Sequence, residues 1–133
     1  MSAEDNVQIV KSMYEAFGKG DLPALLDRLA EDVDWEFIGP LHIPFGGNKR
    51  GKEAVAKFFG ALAGTAEVKQ FAIDKMVAEG DTVVVLGHER FGVKATGIEW
   101  TAHWAHVLTL SAGKIIRFRE HTDSAAISAA YSG

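Results

Sequence analysis

Four polar side chains on the predicted strands have the types that proton transfer needs. They are His88, Arg90, His103 and Glu120. A carboxylate can act as a general acid or base, and an imidazole with its usual pKa of about 6.5 can serve in either role. If the strand faces that hold these residues coincide, the four groups converge in an otherwise apolar enclosure. Glu120 would then be the base, Arg90 would keep it ionised, and a histidine would act as acid or orient the substrate.

A purely structural explanation of the same residues stays open. Arg90 and Glu120 would then form a cross-strand ion pair on a solvated sheet face, worth less than about 1 kcal/mol. Metal-assisted hydrolysis is a further alternative, and it requires His88, His103 and Glu120 to lie about 2.1 Å from a common point. His103 and His106 are three residues apart, so on a regular strand they lie on opposite faces and do not share a metal. No metal is predicted.

The N-terminal third of the chain is predicted to be helical. Apolar residues recur there at steps of three and four, which places them on one helical face: Val7, Val10, Met13, Tyr14 and Phe17. Asp5 is a candidate cap for this helix, and Gly18 with Gly20 ends it. A second helix begins at its N-cap Asp21 and has an apolar stripe that extends to Leu29.

The rest of the chain is predicted to form mainly strands. Alternating residues indicate a short strand over 33–38, which is followed by a glycine- and proline-rich loop over 39–51 and a third helix over 52–62. Longer strands follow over 68–78, 81–91, 98–110 and 115–122, and a short helix over 125–131. Glycine turns between successive strands are typical of an antiparallel meander. The predicted class is α+β, with helices on one face of a sheet that curls around a pocket.

Large apolar residues are assigned to two surfaces. The predicted apolar wall of the pocket consists of Phe17, Trp35, Phe37, Val107 and Phe118. A second stripe, on the strand face opposite His103, consists of Trp100, Trp104 and Leu108. Because one sheet face covers the helices and the other is available to a partner, this stripe is predicted to form a homodimer surface.

Composition limits the function classes. The chain has 133 residues, 47% of them hydrophobic and 24% charged, which fits one globular domain spanning 1–133. A net charge of −4 argues against a nucleic-acid partner, and the absence of cysteine excludes disulfides and thiolate chemistry. The polar N-terminus and the lack of a long apolar run predict no signal peptide, no membrane association and a cytoplasmic location. Phosphate-binding and dinucleotide-binding glycine motifs are absent from the sequence.

Two stretches resemble a known family. GKEAVAKFF at 51–59 and HVLTLSAGKIIRFREHTD at 106–123 are similar to motifs of the SnoaL-like family. That family belongs to the superfamily of ketosteroid isomerase and nuclear transport factor two, and the resemblance extends over roughly 6–126. It implies a cone-shaped, curved antiparallel sheet that wraps about three helices around a central pocket, with a short C-terminal helix. It also implies a small-molecule ligand and a homodimer formed through the convex sheet face.

The resemblance does not imply the ketosteroid isomerase mechanism. Those enzymes use a tyrosine and a protonated aspartate as oxyanion hole and a second aspartate as base. Met13, Ala105 and Phe37 stand at the corresponding places here. The sequence therefore lacks all three of these groups.

A second comparison within the superfamily is with limonene epoxide hydrolases. They use an Arg-x-Asp pair on one strand and an aspartate on the last strand, and the matching residues here are Arg90, Gly92 and Glu120. Trp35 and Phe37 replace the residues that position water in those enzymes. An epoxide-type hydrolase is thus retained only as an alternative.

The favoured expectation is a cofactor-independent enzyme. In SnoaL-type cyclases one acidic residue acts as acid and base, and Glu120 is close to that place, with His103 or His106 able to assist. The implied reaction is an isomerisation or a cyclase/lyase-type step on a modest-sized apolar carbonyl compound. A non-catalytic module for ligand binding or dimerisation is the alternative from a different class.

Overall fold

The structure is a computed structural model that describes residues 2–133, in which helices cover one face of a six-stranded sheet. The helices are α1 (Ala3–Gly18), α2 (Leu22–Asp27), α3 (Lys52–Thr65) and α4 (Ser124–Ser132). The strands are β1 (Leu29–Phe37), β2 (Gly47–Arg50), β3 (Ala66–Glu79), β4 (Thr82–Val93), β5 (Glu99–Ser111) and β6 (Lys114–Thr122). The predicted α+β class is confirmed. None of these helices is long and apolar enough to cross a membrane.

The order of the strands in the sheet is β2-β1-β6-β5-β4-β3. Strands β3 to β6 pair antiparallel with their sequence neighbours, which confirms the predicted meander. Strand β1 is inserted beside β6 and runs parallel to it, with Trp35 opposite Phe118 and Phe37 opposite Glu120. The parallel pair brings aromatic residues from the first third of the chain next to the final strand.

Several element boundaries differ from the sequence prediction. Helix α1 begins with a capping box in which Ser2 is the N-cap, and Asp5 is the third helical residue whose carboxylate accepts from the Ser2 backbone N–H. Asp21 caps α2 as expected, but this helix ends at Asp27 and Leu29 starts β1. The loop predicted over 39–51 contains the short strand β2. Helix α3 continues to Thr65, through Gly64.

The tryptophan stripe faces the helices and is buried within the chain. Trp100 and Trp104 are each 3% exposed and Leu108 is fully buried. Trp104 stacks on Tyr14 of α1 and on Phe71 of β3. The prediction that this stripe forms a dimer surface is therefore wrong: these side chains form the core of a single chain, and the opposite face of β5 is the outer one.

Trp104 lies flat over a glycine of the neighbouring strand. Gly87 is its register partner on β4. A Cβ on Gly87 would overlap the Trp104 ring and the carbonyl oxygen of Ala72 on β3. Glycine is required here by close packing, because only its lack of a side chain leaves room for the indole.

Candidate functional site

A cavity of about 50 Å³ lies between the helices and the inner face of the sheet. Most of its wall is aromatic or aliphatic, and four of the predicted lining residues contribute to it: Phe17, Trp35, Phe37 and Phe118. Val107 lies on the outer face of β5, so the expectation that it lines the cavity is not met. Four titratable side chains interrupt the apolar wall: Tyr14, Glu89, His106 and Glu120.

Tyr14 and His106 form a buried pair. The Tyr14 hydroxyl lies 2.5 Å from Nδ1 of His106, and the two rings are nearly parallel, at 3°. Burial, and secondarily the nearby charge of Glu120, raises the pKa of Tyr14 well above its usual value, so the phenol keeps its proton. Among the described residues this hydroxyl has no other acceptor, which assigns its O–H as donor to Nδ1. Because Nδ1 accepts, the ring proton of His106 lies on Nε2.

Nε2 of His106 faces a carboxylate. It lies 3.6 Å from Oε1 of Glu120, its register partner on β6. That distance is too long for a good hydrogen bond, and Nε2 is buried without a partner among the described residues. A buried N–H that lacks an acceptor is costly. Nε2–H of His106 is therefore available to donate a hydrogen bond to a ligand oxygen in the cavity.

Glu89 supplies a second carboxyl group to the cavity. It is 6% exposed, and its Oε2 accepts a hydrogen bond of 2.7 Å from the indole N–H of Trp100. Burial, followed by the charge of Glu120, raises the pKa of Glu89 to about 8, against a smaller lowering by the Trp100 hydrogen bond. Glu89 is accordingly protonated at neutral pH and can donate a proton or a hydrogen bond.

The four residues predicted to converge are divided between the two faces of the sheet. Glu120 faces the cavity, whereas His88 and Arg90 point outward, where they pair with Asp74 at 2.9 Å and with Glu99 at 3.0 Å. His103 is exposed on the same outer face, with its ring 5.9 Å from that of His88.

The division follows from the register of the strands. Glu120 is opposite His106, and His103 is opposite His88. Neighbouring residues of a strand point to opposite faces, so His103 and His106, three residues apart, cannot both face inward. The expected convergence of His88, Arg90 and His103 with Glu120 is thus corrected.

The same register affects the residues matched to other enzymes of the superfamily. Arg90 and Gly92 lie on the outer face, so they do not form an Arg-x-Asp-like site in the cavity. Ala105 is also on the outer side of β5. Met13 and its neighbour Tyr14 both line the cavity, and the tyrosine contributes a buried hydroxyl there.

The sequence interpretation missed Glu89 and left His106 undecided against His103. The available signal was alternation: His106 has the parity of Trp100, Trp104 and Leu108, the largest apolar residues of its strand. A stripe of that size is more typical of a core than of a surface. Within residues 2–133 no group of three His, Asp or Glu side chains is arranged to hold a metal ion.

Solved structures share this fold. The chain is 33% identical to an NTF2-like protein of Burkholderia xenovorans LB400, with a TM-score of 0.90 and 98% of each chain covered. It is 31% identical to an NTF2-like protein of unknown function from Burkholderia pseudomallei K96243, with a TM-score of 0.88 and both chains covered completely. TerC, co-crystallised with polyporic acid, is 22% identical, with a TM-score of 0.86 and coverages of 97% and 99%. These likenesses confirm the expected cone-shaped fold. Among curated proteins there is no significant match.

One family model matches most of the sequence. It describes the SnoaL-like domain and spans residues 10–118. This range contains β1 to β5 and reaches into β6, so it includes the strands that form the cavity wall. The chain belongs to the SnoaL-like domain family.

Proposed function

We propose that this protein binds a modest-sized apolar carbonyl compound and moves a proton at the carbon beside the carbonyl group, without a cofactor. The reaction would be an isomerisation or a cyclase/lyase-type step. The observation that supports this most is the arrangement of His106 and Glu120, which face each other at 3.6 Å in an aromatic cavity. The carboxylate and the imidazole N–H are then available to opposite ends of the same C–C=O unit.

The proposed step uses the groups as follows. The Glu120 carboxylate removes the proton from the carbon, and the electron pair of the broken C–H bond forms the enolate. The enolate oxygen accepts a hydrogen bond from Nε2–H of His106, while Tyr14 holds the imidazole in that tautomer. Glu120 then returns the proton to another carbon of the substrate, or Glu89, protonated in its buried position, gives its proton to the oxygen. The second path leaves Glu120 protonated and Glu89 charged until a proton passes between them.

The test is exchange of ketone α-protons in D2O, followed by NMR with 2-butanone and cyclohexanone. Wild-type protein is expected to accelerate the exchange, and Glu120→Gln to reduce the acceleration by about 10²-fold or more. His103→Gln, an exposed change on the outer face of the neighbouring strand, is the matched control and should leave the rate unchanged. Full acceleration by Glu120→Gln would reject Glu120 as the base.

The non-catalytic alternative has a distinct outcome in the same experiment. If the ketones bind, as seen by line broadening of their signals, but wild-type protein does not accelerate exchange, the pocket is a ligand-binding module. The presence of Met13, Ala105 and Phe37 at the places of the ketosteroid isomerase catalytic groups favours this alternative.

The homodimer implied by family resemblance is proposed on the outer sheet face instead of the buried tryptophan stripe. Leu86 on β4 is 39% exposed there, and Val107 on β5 is half-buried beside it. Sedimentation of wild-type protein and of Leu86→Glu tests this surface. If the dimer forms through it, wild-type protein should sediment with the mass of two chains and Leu86→Glu with the mass of one.

A further inference from the structure

A groove of about 1170 Å³ runs along the side of the fold, between the three N-terminal helices and the edge strand β3. Its lining is mainly apolar and includes Val7, Leu22, Val68 and Ile73, the last two of which are exposed. The groove has more than enough room for an organic molecule, since typical ligand sites measure about 300–1,000 Å³.

The groove and the cavity are adjacent. They share several wall residues, among them Tyr14, Phe17, Phe59 and Phe71. The cavity alone, at about 50 Å³, is far smaller than typical ligand sites. A molecule that is too large for the cavity and whose reacting end reaches Glu120 would therefore extend beside these aromatic rings toward the groove.

The charge of the cavity restricts the reacting end. Among the described residues that line it, two are carboxyl groups, Glu89 and Glu120, and none is lysine or arginine. An anion placed there would meet like charge in a poorly solvated space, with no cation to offset the loss of its hydration. The end that enters the cavity is accordingly uncharged.

From these observations we infer that the groove is the binding subsite for the body of an elongated apolar ligand, whose uncharged carbonyl end enters the cavity. The inferred orientation of the ligand, with its carbonyl end in the cavity, rests on the proposed function. The chain-length preference, however, comes from the groove alone, and the charge preference of the reacting end comes from the cavity alone. The inferred substrate class is a neutral carbonyl compound with an apolar body of several carbon atoms beyond the reacting unit.

The first test is the affinity of a series of 2-alkanones, from 2-pentanone to 2-undecanone, measured by ligand-observed NMR titration. Burial of each added CH2 in the groove should raise the affinity about three- to fourfold until the groove is filled. Straight-chain alkanoates of the same lengths should bind at least about tenfold more weakly, because their carboxylates are excluded from the cavity. An affinity that does not depend on chain length would overturn the inference, and so would stronger binding of the alkanoates.

Two glycines of α3 provide matched variants. Gly60 lines the groove and Gly64, one turn further along, does not. Neither position has an atom within 4 Å of where a Cβ would be placed, so a side chain can leave the backbone at both without a clash at Cβ. Gly60→Trp should flatten the chain-length dependence by filling the groove, whereas Gly64→Trp should leave it as in wild-type protein. The same dependence of affinity on chain length in both variants would contradict the assignment of the groove as the subsite.

Two further outcomes separate this inference from its alternatives. If sedimentation shows a dimer that Gly60→Trp dissociates and Gly64→Trp does not, a second copy of the chain covers the groove and the inference fails. Glu120→Gln should retain the chain-length dependence even though proton exchange is lost. Lack of exchange activity in wild-type protein, with an intact chain-length series, would therefore reject the proposed function and leave the subsite standing.

Discussion

The hydroxyl of Tyr14 on α1 donates a hydrogen bond of 2.5 Å to Nδ1 of His106 on β5. Both side chains are buried, and their rings stack at a centroid distance of 5.8 Å. The first helix thereby fixes the tautomer of a histidine that the sheet places beside Glu120. The helix supplies the hydroxyl and the sheet supplies the imidazole of this buried hydrogen bond.

Tyr14→Phe should destabilise the protein and release the tautomer of His106. The variant leaves Nδ1 buried without a donor, which costs about 1–3 kcal/mol in the free energy of unfolding, measured by urea titration. The imidazole ¹⁵N shifts should change from those of a pure Nε2–H form to those of a mixture. Tyr131→Phe, which removes a hydroxyl that bonds to Thr65 at 2.7 Å in a half-buried place, is the control and should leave these shifts unchanged. Identical His106 shifts in Tyr14→Phe and wild-type protein would contradict the assigned donor.

Glu89 should make stability fall as the pH rises. Its pKa is about 8 in the folded protein, against an ordinary value of 4.5 for the unfolded chain. Between these values the folded state holds a proton that the unfolded state has lost, so its contribution is complete below about pH 4.5 and is lost by about pH 8. Relative to wild-type protein, Glu89→Gln should gain stability progressively across this interval in urea titrations at pH 5, 6.5 and 8. Glu99→Gln, on the outer face of β5, is the control and should show no such gain in stability. A difference between Glu89→Gln and wild-type protein that is independent of pH would argue that Glu89 is ionised throughout.

Gly87→Ala should disrupt the inner layer of aromatic rings. The added methyl group overlaps the Trp104 ring and a backbone carbonyl, so the expected loss is about 1–3 kcal/mol of unfolding free energy, with a change in the near-ultraviolet circular dichroism of tryptophan. Gly92→Ala is the control on the same strand, because its methyl group would approach only flexible side chains, with Cε of Lys69 at 3.4 Å and Cγ of Glu99 at 3.7 Å. Its effect should stay within about 0.5 kcal/mol. Equal stabilities of the two variants would refute the close-packing role of Gly87.

Asp34 should contribute to stability at neutral pH and lose that contribution in acid. Hydrogen bonds from Arg119, at 2.9 Å, and from Asn48 hold the pKa of Asp34 at about 2, below its ordinary 3.8. As the pH falls, Asp34 is protonated in the unfolded chain before it is protonated in the folded protein. Its stabilisation is therefore present above about pH 4 and disappears as the pH falls through about 2. Asp34→Asn should cost about 1–2 kcal/mol at pH 7 and reduce the dependence on pH between 4 and 2. Asp74→Asn, which removes the carboxylate of a more exposed pair, is the control and should have a smaller effect on both the stability at pH 7 and its dependence on pH. If the stability of Asp34→Asn fell with decreasing pH in parallel with that of wild-type protein, the assignment of the low pKa to Asp34 would be contradicted.

Much of the fold is predictable because local chemistry determines it. Alternation and glycine turns give the meander, and Asp21 and Asp123 cap the helices that follow them. The end of α2 is less predictable, because Leu29 has the spacing of a helical stripe but pairs with Ile115 in the sheet. Such a contact between distant parts of the chain overrides local preference.

The candidate site is less predictable than the fold because it depends on which strand face points inward. Strand β4 has polar residues on both faces, Glu89 on one and His88 with Arg90 on the other. Side chains alternate with a period of two, so an error of one residue in the assigned alternation exchanges all the inward-facing side chains with the outward-facing ones. Chemical type and family resemblance point to Glu120 from the sequence, whereas its partner His106 follows only from the pairing of β5 with β6.

The parallel pairing of β1 with β6 has a consequence for the order of assembly. The β3–β6 meander forms from contacts between neighbours in sequence, which are quick to make. Trp35 and Phe37 on β1 find their places only beside Phe118 and Glu120, near the other end of the chain. During synthesis on the ribosome, β1 can pair with β2 soon after both emerge, but its aromatic side chains lack their neighbours on β6 until the end of the chain has emerged. The cavity wall can be completed only once β6 is in place, and until then the aromatic side chains of β1 are open to chaperones that bind apolar segments.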